Sequence, residues 1–120
     1  MINAKAVIDD IIIWIDINIE KPLRIDDVVV ISGYSRRHLQ RIFFQVMNVN
    51  IAQYIRDKKL MLAAKDLKES NASIISIAER YGFDSLHAFT HVFSKKYKLP
   101  PSRYRLQYRN IRKRPIRDVG

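Results

Sequence analysis

Apolar residues recur along this chain at three- and four-residue spacings, interrupted by only three glycines and four prolines. That period places apolar side chains on one face of a helix, so an all-α fold is expected. The first segment, Val7 to Ile19, sets Ile8, Ile11, Ile12 and Ile15 on one face with Trp14 beside them, and Pro22 closes it. Its end, Ile15 to Ile19, alternates like a strand, but no later segment offers a strand partner, and helix is the reading. A short helix is predicted from about Ile25 to Ser32, then a turn at Gly33 and a helix capped by Ser35 that runs to about Val46. Ile51 to Lys68 is rich in Leu, Met, Ala and Lys, all good helix formers. Two further helices, about Ser73 to Tyr81 and Ser85 to Tyr97, are separated by Gly82, with Asp84 or Ser85 as the cap. Pro100-Pro101 opens a last helix through about Tyr108, giving about seven in all. Residues 110–120 are basic without an apolar period and are expected to be disordered.

An internal repeat organises these elements. Gly33-Tyr34-Ser35-Arg36-Arg37-His38-Leu39-Gln40-Arg41-Ile42-Phe43 returns, with one inserted residue, as Gly82-Phe83-Asp84-Ser85-Leu86-His87-Ala88-Phe89-Thr90-His91-Val92-Phe93. A short helix precedes each copy, with Val28 matching Ile77. Short helix, glycine turn and longer helix form the helix-turn-helix layout. The expected division is a helix-turn-helix subdomain over 1–50, a linker helix over 51–68, a second subdomain over 69–109 and the tail over 110–120.

Charge narrows the choice of partner. The formal net charge is +10. Residues 1–30 hold three basic and six acidic side chains, so the positive field belongs to the stretch from Ser35 onward. A field of that sign suits nucleic acid or an anionic membrane surface. The absence of cysteine excludes a disulfide scaffold and thiolate metal sites. The longest apolar run, Ile11 to Ile15, is too short to span a bilayer, and the N-terminus lacks a secretion-signal pattern, so a soluble, cytoplasmic protein without a membrane partner is expected.

On the helix after Gly33, Leu39, Ile42, Phe43 and Val46 form the core face, which leaves Arg37, Gln40, Arg41 and Phe44 on the other. Arginine can grip guanine O6 and N7 with two bonds, glutamine can do the same for adenine, and the major groove admits one helix. Arg37, Gln40 and Arg41 are therefore the expected base readers. In the second copy Phe89, Val92, Phe93 and Leu86 read as core, leaving His87, Thr90, His91 and Ser94 outward. His87, Thr90 and His91 can bond base edges or phosphate but lack the permanent fork of an arginine. Phosphate contacts are expected from Arg36, Arg56, Lys58, Lys59, Lys95, Lys96, Arg103 and Arg105, about half of which would be solubilising charges only. His87 and His91 also have the spacing of a metal pair. A third ligand is lacking apart from Asp84, no Glu intervenes, and no metal site is expected. There is no Gly-rich phosphate loop and no recognisable catalytic constellation, so neither enzymatic activity nor a cofactor is implied.

The chain resembles the DNA-binding region of the AraC/XylS family of regulators, in its short stand-alone MarA/SoxS/Rob type, from about Val7 to Tyr108. The likeness rests on Trp14-Ile15 with Pro22-Leu23, Ser32-Gly33-Tyr34-Ser35, His38-Leu39-Gln40-Arg41, Gln53-Tyr54-Ile55-Arg56, Leu67-Lys68-Glu69-Ser70-Asn71, Ala78-Glu79-Arg80-Tyr81-Gly82-Phe83 and Pro100-Pro101-Ser102-Arg103-Tyr104-Arg105. It implies two helix-turn-helix units joined by a rigid helix, with recognition helices in successive major grooves of an asymmetric promoter site bound by a monomer. It also implies activation through RNA polymerase, by way of its sigma factor or the C-terminal domain of its alpha chain, in stress, drug-resistance or virulence programmes. The family's base-reading positions fall on Arg37, Gln40 and Arg41. Arg37 stands where this type usually has Trp, and Leu86, His87 and His91 replace a usual Gln-Gln pair and later Arg. Val29, Val30 and Ile31 replace commonly small or polar residues, which leaves Val30 and Ile31 as candidate exposed aliphatics. No room remains for a small-molecule effector domain, and control by abundance is expected.

Two other readings compete. One is an adaptor that docks proteins through Val30, Ile31 and the acidic first helix. The other is a nonspecific nucleic-acid binder driven by Arg112-Lys113-Arg114 and Arg117 of the tail.

Overall fold

The computed structural model describes residues 3–113, with side chains through Arg109, and these residues form seven α-helices and no strand. They are α1 (Ala4–Ile17), α2 (Ile25–Ser32), α3 (Arg36–Met47), α4 (Ile51–Glu69), α5 (Ile74–Arg80), α6 (Leu86–Tyr97) and α7 (Pro101–Lys113). The strand-like alternation at the end of α1 is resolved by burial. Ile15 and Ile19 are buried, whereas Ile17 lies 76% exposed on the last helical position, followed by the C-cap Asn18. The chain divides into two units between Lys59 and Leu60, so α4 supplies its first half to one unit and its second half to the other.

In unit 1 the period read from the sequence becomes the core: Ile8, Ile11 and Ile15 of α1, Val28 of α2, Leu39, Ile42 and Phe43 of α3, and Ile51 and Ile55 of α4 are buried. Polar groups at its edge are paired. The Tyr54 hydroxyl donates to Asp16 Oδ1 at 3.1 Å, and burial, then the Asp16 charge, then this bond push its pKa up to about 12. Lys59 is itself buried, and its Nζ donates to the Lys21 carbonyl at 2.6 Å. Burial holds that amine below the ordinary lysine range, because desolvation penalises the charged form.

Unit 2 is built on aromatic rings. Phe89 and Phe93 are wholly buried with Leu60, Ala63, Leu67 and Ile77. Phe93 meets Phe89, Tyr97 and Tyr104 at centroid distances of 5.6, 4.6 and 5.3 Å. Full burial of one such side chain contributes roughly 1.5–3 kcal/mol before ring-pair terms are added. The Tyr81 hydroxyl donates to Asp66 Oδ2 at 2.7 Å, which also receives Arg80 at 3.0 Å, so α5 is pinned to α4 by a shared carboxylate oxygen.

Helix α7 runs to Lys113, which corrects the expected boundary near Tyr108: residues 110–113 are helical. Arg, Gln and Lys are good helix formers even without an apolar stripe. Arg109 also ties α7 down, donating from Nη2 to the Ser70 carbonyl at 2.6 Å and to Asn71 Oδ1 at 2.8 Å. The remainder of the tail, including Arg114 and Arg117, lies outside the described residues.

Candidate nucleic-acid interface

Each unit contains one helix-turn-helix. In the first, α2 ends on Gly33, whose φ of +74° lies in the left-handed region and whose N–H returns to the Val29 carbonyl at 3.2 Å. Nothing stands within 4 Å of where a Gly33 side chain would begin, so the backbone angle and not crowding is what favours glycine. In the second, α5 ends in a Schellman arrangement: Gly82, also at φ +74°, donates to Glu79, and Phe83 donates to Ala78, both at 3.0 Å. Ser35 then caps α3 by accepting from the His38 N–H at 3.2 Å, and Ser85 caps α6 by accepting from the Ala88 N–H at 3.0 Å. Of the two candidates for the second cap, Ser85 takes the role.

The caps and turns fix which faces of α3 and α6 point outward. On α3, Leu39, Ile42 and Phe43 are buried and Val46 is half-buried, while Arg37, Arg41 and Phe44 are exposed and Gln40 is half-buried. The three expected base readers thus share one solvent-facing surface. On α6, Phe89 and Phe93 are buried, His87 and His91 are exposed, and Thr90 and Ser94 are half-buried. Leu86 corrects the expectation that it joins the core. It is 41% exposed because it is the first residue after the Ser85 cap, where the helix has not yet turned toward the interior. Val30 and Ile31 on α2 are 81% and 52% exposed.

The expected phosphate contacts separate into two groups. Arg56, Lys95, Lys96 and Arg103 are exposed, and Arg36 is exposed with its guanidinium paired to Asp26. Lys58 is partly exposed, with Nζ 4.0 Å from Asp16 Oδ2. Lys59 is only 6% exposed and bonded inward, which corrects the reading of it as a phosphate ligand. Arg105 is likewise committed: its Nε donates to Leu67 O at 3.1 Å and its Nη2 to Ser70 O and Ala72 O at 3.3 and 2.6 Å. These are carbonyls that α4 leaves unpaired at and after its last turn, so the guanidinium acts as a cap for that helix. Among the described residues no group of three or more His, Cys, Asp or Glu could hold a metal ion, and no helix is long and apolar enough to cross a membrane.

One neighbour of the expected base readers was not assigned from the sequence. Arg41 Nη2 lies 3.2 Å from His38 Nδ1, and the His38 ring lies 5.0 Å from that of Tyr34. The i,i+3 spacing of His38 and Arg41 on a helix was the signal for it.

Comparison with known proteins agrees with this geometry. A family model described as a helix-turn-helix domain matches residues 29–107. The multiple antibiotic resistance protein MarA of Escherichia coli K12 is 43% identical over 105 residues, covering 87% of this chain and 83% of that protein. The HTH-type transcriptional activator AarP of Providencia stuartii is 38% identical over 102 residues, covering 85% and 76%. A solved AraC-type regulator from Chromobacterium violaceum superposes with a TM-score of 0.79 at 28% identity, over 93% of this chain and 96% of that one. The DNA-binding domain of AdpA, solved with a target DNA, shares the fold with a TM-score of 0.85 at 22% identity, over 89% and 96%. With two capped helix-turn-helix units and relatives this similar over most of their length, the chain belongs to the AraC/XylS family of DNA-binding transcription regulators, in its short MarA type.

Proposed function

We propose that the protein is a transcription activator that binds an asymmetric promoter site as a monomer, with α3 and α6 in successive major grooves. The observation that carries this is the doubled motif: a single chain holds two recognition helices, each with its own serine cap and glycine turn. A dimer is not needed to supply the second reader. Arg37, Gln40 and Arg41 read bases in the first groove, while His87, Thr90 and His91 add grip and some readout in the second. Arg36, Arg56, Lys58, Lys95, Lys96 and Arg103 hold phosphates. MarA is named for multiple antibiotic resistance and AarP as a transcriptional activator, and both names support a programme of that kind. The activator works in the cytoplasm and engages RNA polymerase through its sigma factor or the C-terminal domain of its alpha chain.

Footprinting on a selected site tests this. Two protected major-groove segments about one helical turn apart, at one chain per duplex, are expected. A single protected segment, or two chains per site, would overturn it. A second reading is favoured by Val30 and Ile31, whose exposure suits a protein contact in addition to DNA. In that case Val30→Ser with Ile31→Ser lowers transcription from a bound promoter and leaves DNA affinity unchanged.

A further inference from the structure

We infer that His38 is a positioning residue that holds the Arg41 guanidinium in its base-reading orientation, with Tyr34 holding the imidazole in turn. The inference rests on the reading of Arg41 as a base contact and adds how that contact is aimed. Arginine has only donors, so the 3.2 Å approach of Arg41 Nη2 to His38 Nδ1 is a hydrogen bond only if Nδ1 offers its lone pair. The neutral ring must then carry its hydrogen on Nε2. The tautomer is set by the partner. His38 is itself fixed from two sides. Its backbone N–H is the donor to the Ser35 cap, at 3.2 Å. Its ring lies 5.0 Å from the Tyr34 ring at an interplanar angle of 32°. A half-buried imidazole packed on the Tyr34 ring, carried by a backbone tied to the Ser35 cap, thus supports an exposed arginine on the adjacent turn of the same helix.

An exposed arginine samples many rotamers, and ordering it at a base edge costs binding free energy. A hydrogen bond made before DNA arrives removes part of that cost, and it removes it only for the geometry in which Arg41 meets the base. Its effect therefore appears as discrimination at one base pair and not as general affinity. The second unit has Ala88 at the position equivalent to His38 and His91 at that of Arg41, so it has no counterpart of this support.

The experiment measures affinity of the full chain, by anisotropy titration, for its selected site, for the site substituted at each base pair in turn, and for random duplex. Arg41→Ala first identifies the base pair at which discrimination is lost. His38→Ala is expected to lower discrimination at that same pair about 3- to 10-fold, with random-duplex affinity within about two-fold. His38→Asn, whose amide oxygen can stand near the Nδ1 position, is expected to restore most of it. If His38→Ala loses helical signal by circular dichroism, Tyr34→Leu reads the same quantity, and an intermediate loss is expected. Undiminished discrimination in His38→Ala, or in Tyr34→Leu where that variant stands in, would overturn the inference. So would equal loss on every duplex, or failure of His38→Asn to rescue. If Arg41→Ala itself changes no base preference, the base-reading assignment fails first. The two failures are therefore distinguishable.

Discussion

Helices α3 and α6 each run for 12 residues from a serine cap to a left-handed residue, Asn48 at φ 59° or Lys98 at φ 66°, yet their exposed faces differ in chemistry. The first presents Arg37, Gln40 and Arg41, with His38 bonded to Arg41. The second presents His87, Thr90 and His91. Cap, turn and buried face are set by backbone requirements that every such unit must meet. The outward face is under no such requirement and is left to the partner. What the pair teaches is that repetition in the frame does not predict equality in the chemistry of the outward face.

The comparison can be broken hardest at the cores. Phe93→Ala removes a wholly buried ring with three aromatic neighbours and should cost about 3–5 kcal/mol in urea melts. Phe43→Ala, equally buried but facing the single ring of Tyr54, is expected toward the lower end of that range. Equal losses would mean that the aromatic cluster adds nothing beyond burial.

Recognition comes next in size. Gln40→Ala and Arg41→Ala should each lose about 1–3 kcal/mol on the preferred site and relax preference at one base pair, measured against random duplex. His87→Ala and His91→Ala should each lose less than about 1 kcal/mol and leave preference nearly intact. A larger histidine effect would reverse the ranking of the two helices.

The turns give a smaller and symmetric test. Gly33→Ala places a side chain at φ +74° with open space around it, so the strain is purely backbone, about 1–2 kcal/mol of thermal stability. Gly82→Ala has the same φ and should match it. A larger cost at Gly82 would point to crowding at the second turn.

The smallest effect is an alkaline one that both units share, because burial and then the bond to Asp66 also raise the pKa of the Tyr81 hydroxyl in unit 2, and Tyr54 isolates the share of unit 1. Tyr54 has its pKa raised from 10.0 to about 12, so the folded state keeps its proton in a range where the unfolded chain has lost it. Its stabilising contribution is complete below pH 10.0 and disappears as pH rises through about 12. Tyr54→Phe should therefore remove part of the decline of stability across that window in alkaline urea melts, with the share of Tyr81 remaining, whereas an unaltered decline would assign the loss to Tyr81 alone. Lys59 acts with the opposite sign, since its lowered pKa makes the fold gain stability as pH rises toward 10.5.

Much of this architecture was legible in the sequence because the information is local. The spacing Ile8, Ile11, Ile15, the capping serines and the two glycines each act within a turn of where they stand, and the helices began within a few residues of the expected positions. The failures share a different cause. Lys59 and Arg105 look like any other surface cations, and only carbonyls 33 to 38 residues away turn them inward. Arg109 extends α7 through contacts of the same long range. Leu86 fits the apolar period, yet its place directly after the cap leaves it in solvent. At the proposed reading surface, residue type and face could be deduced, but the approach of Arg41 to His38 Nδ1 required the orientation of a ring.

The sharing of α4 has a consequence for how such proteins can be recombined. Ile51 and Ile55 belong to one interior, and Leu60, Ala63, Ala64 and Leu67 to the other. A chimera joined at the loop before or after α4 would carry half of a helix shaped for the wrong neighbour. Exchange of one reader between relatives should work best at a seam in mid-helix, between Lys59 and Leu60, where each half keeps the side chains it was selected with.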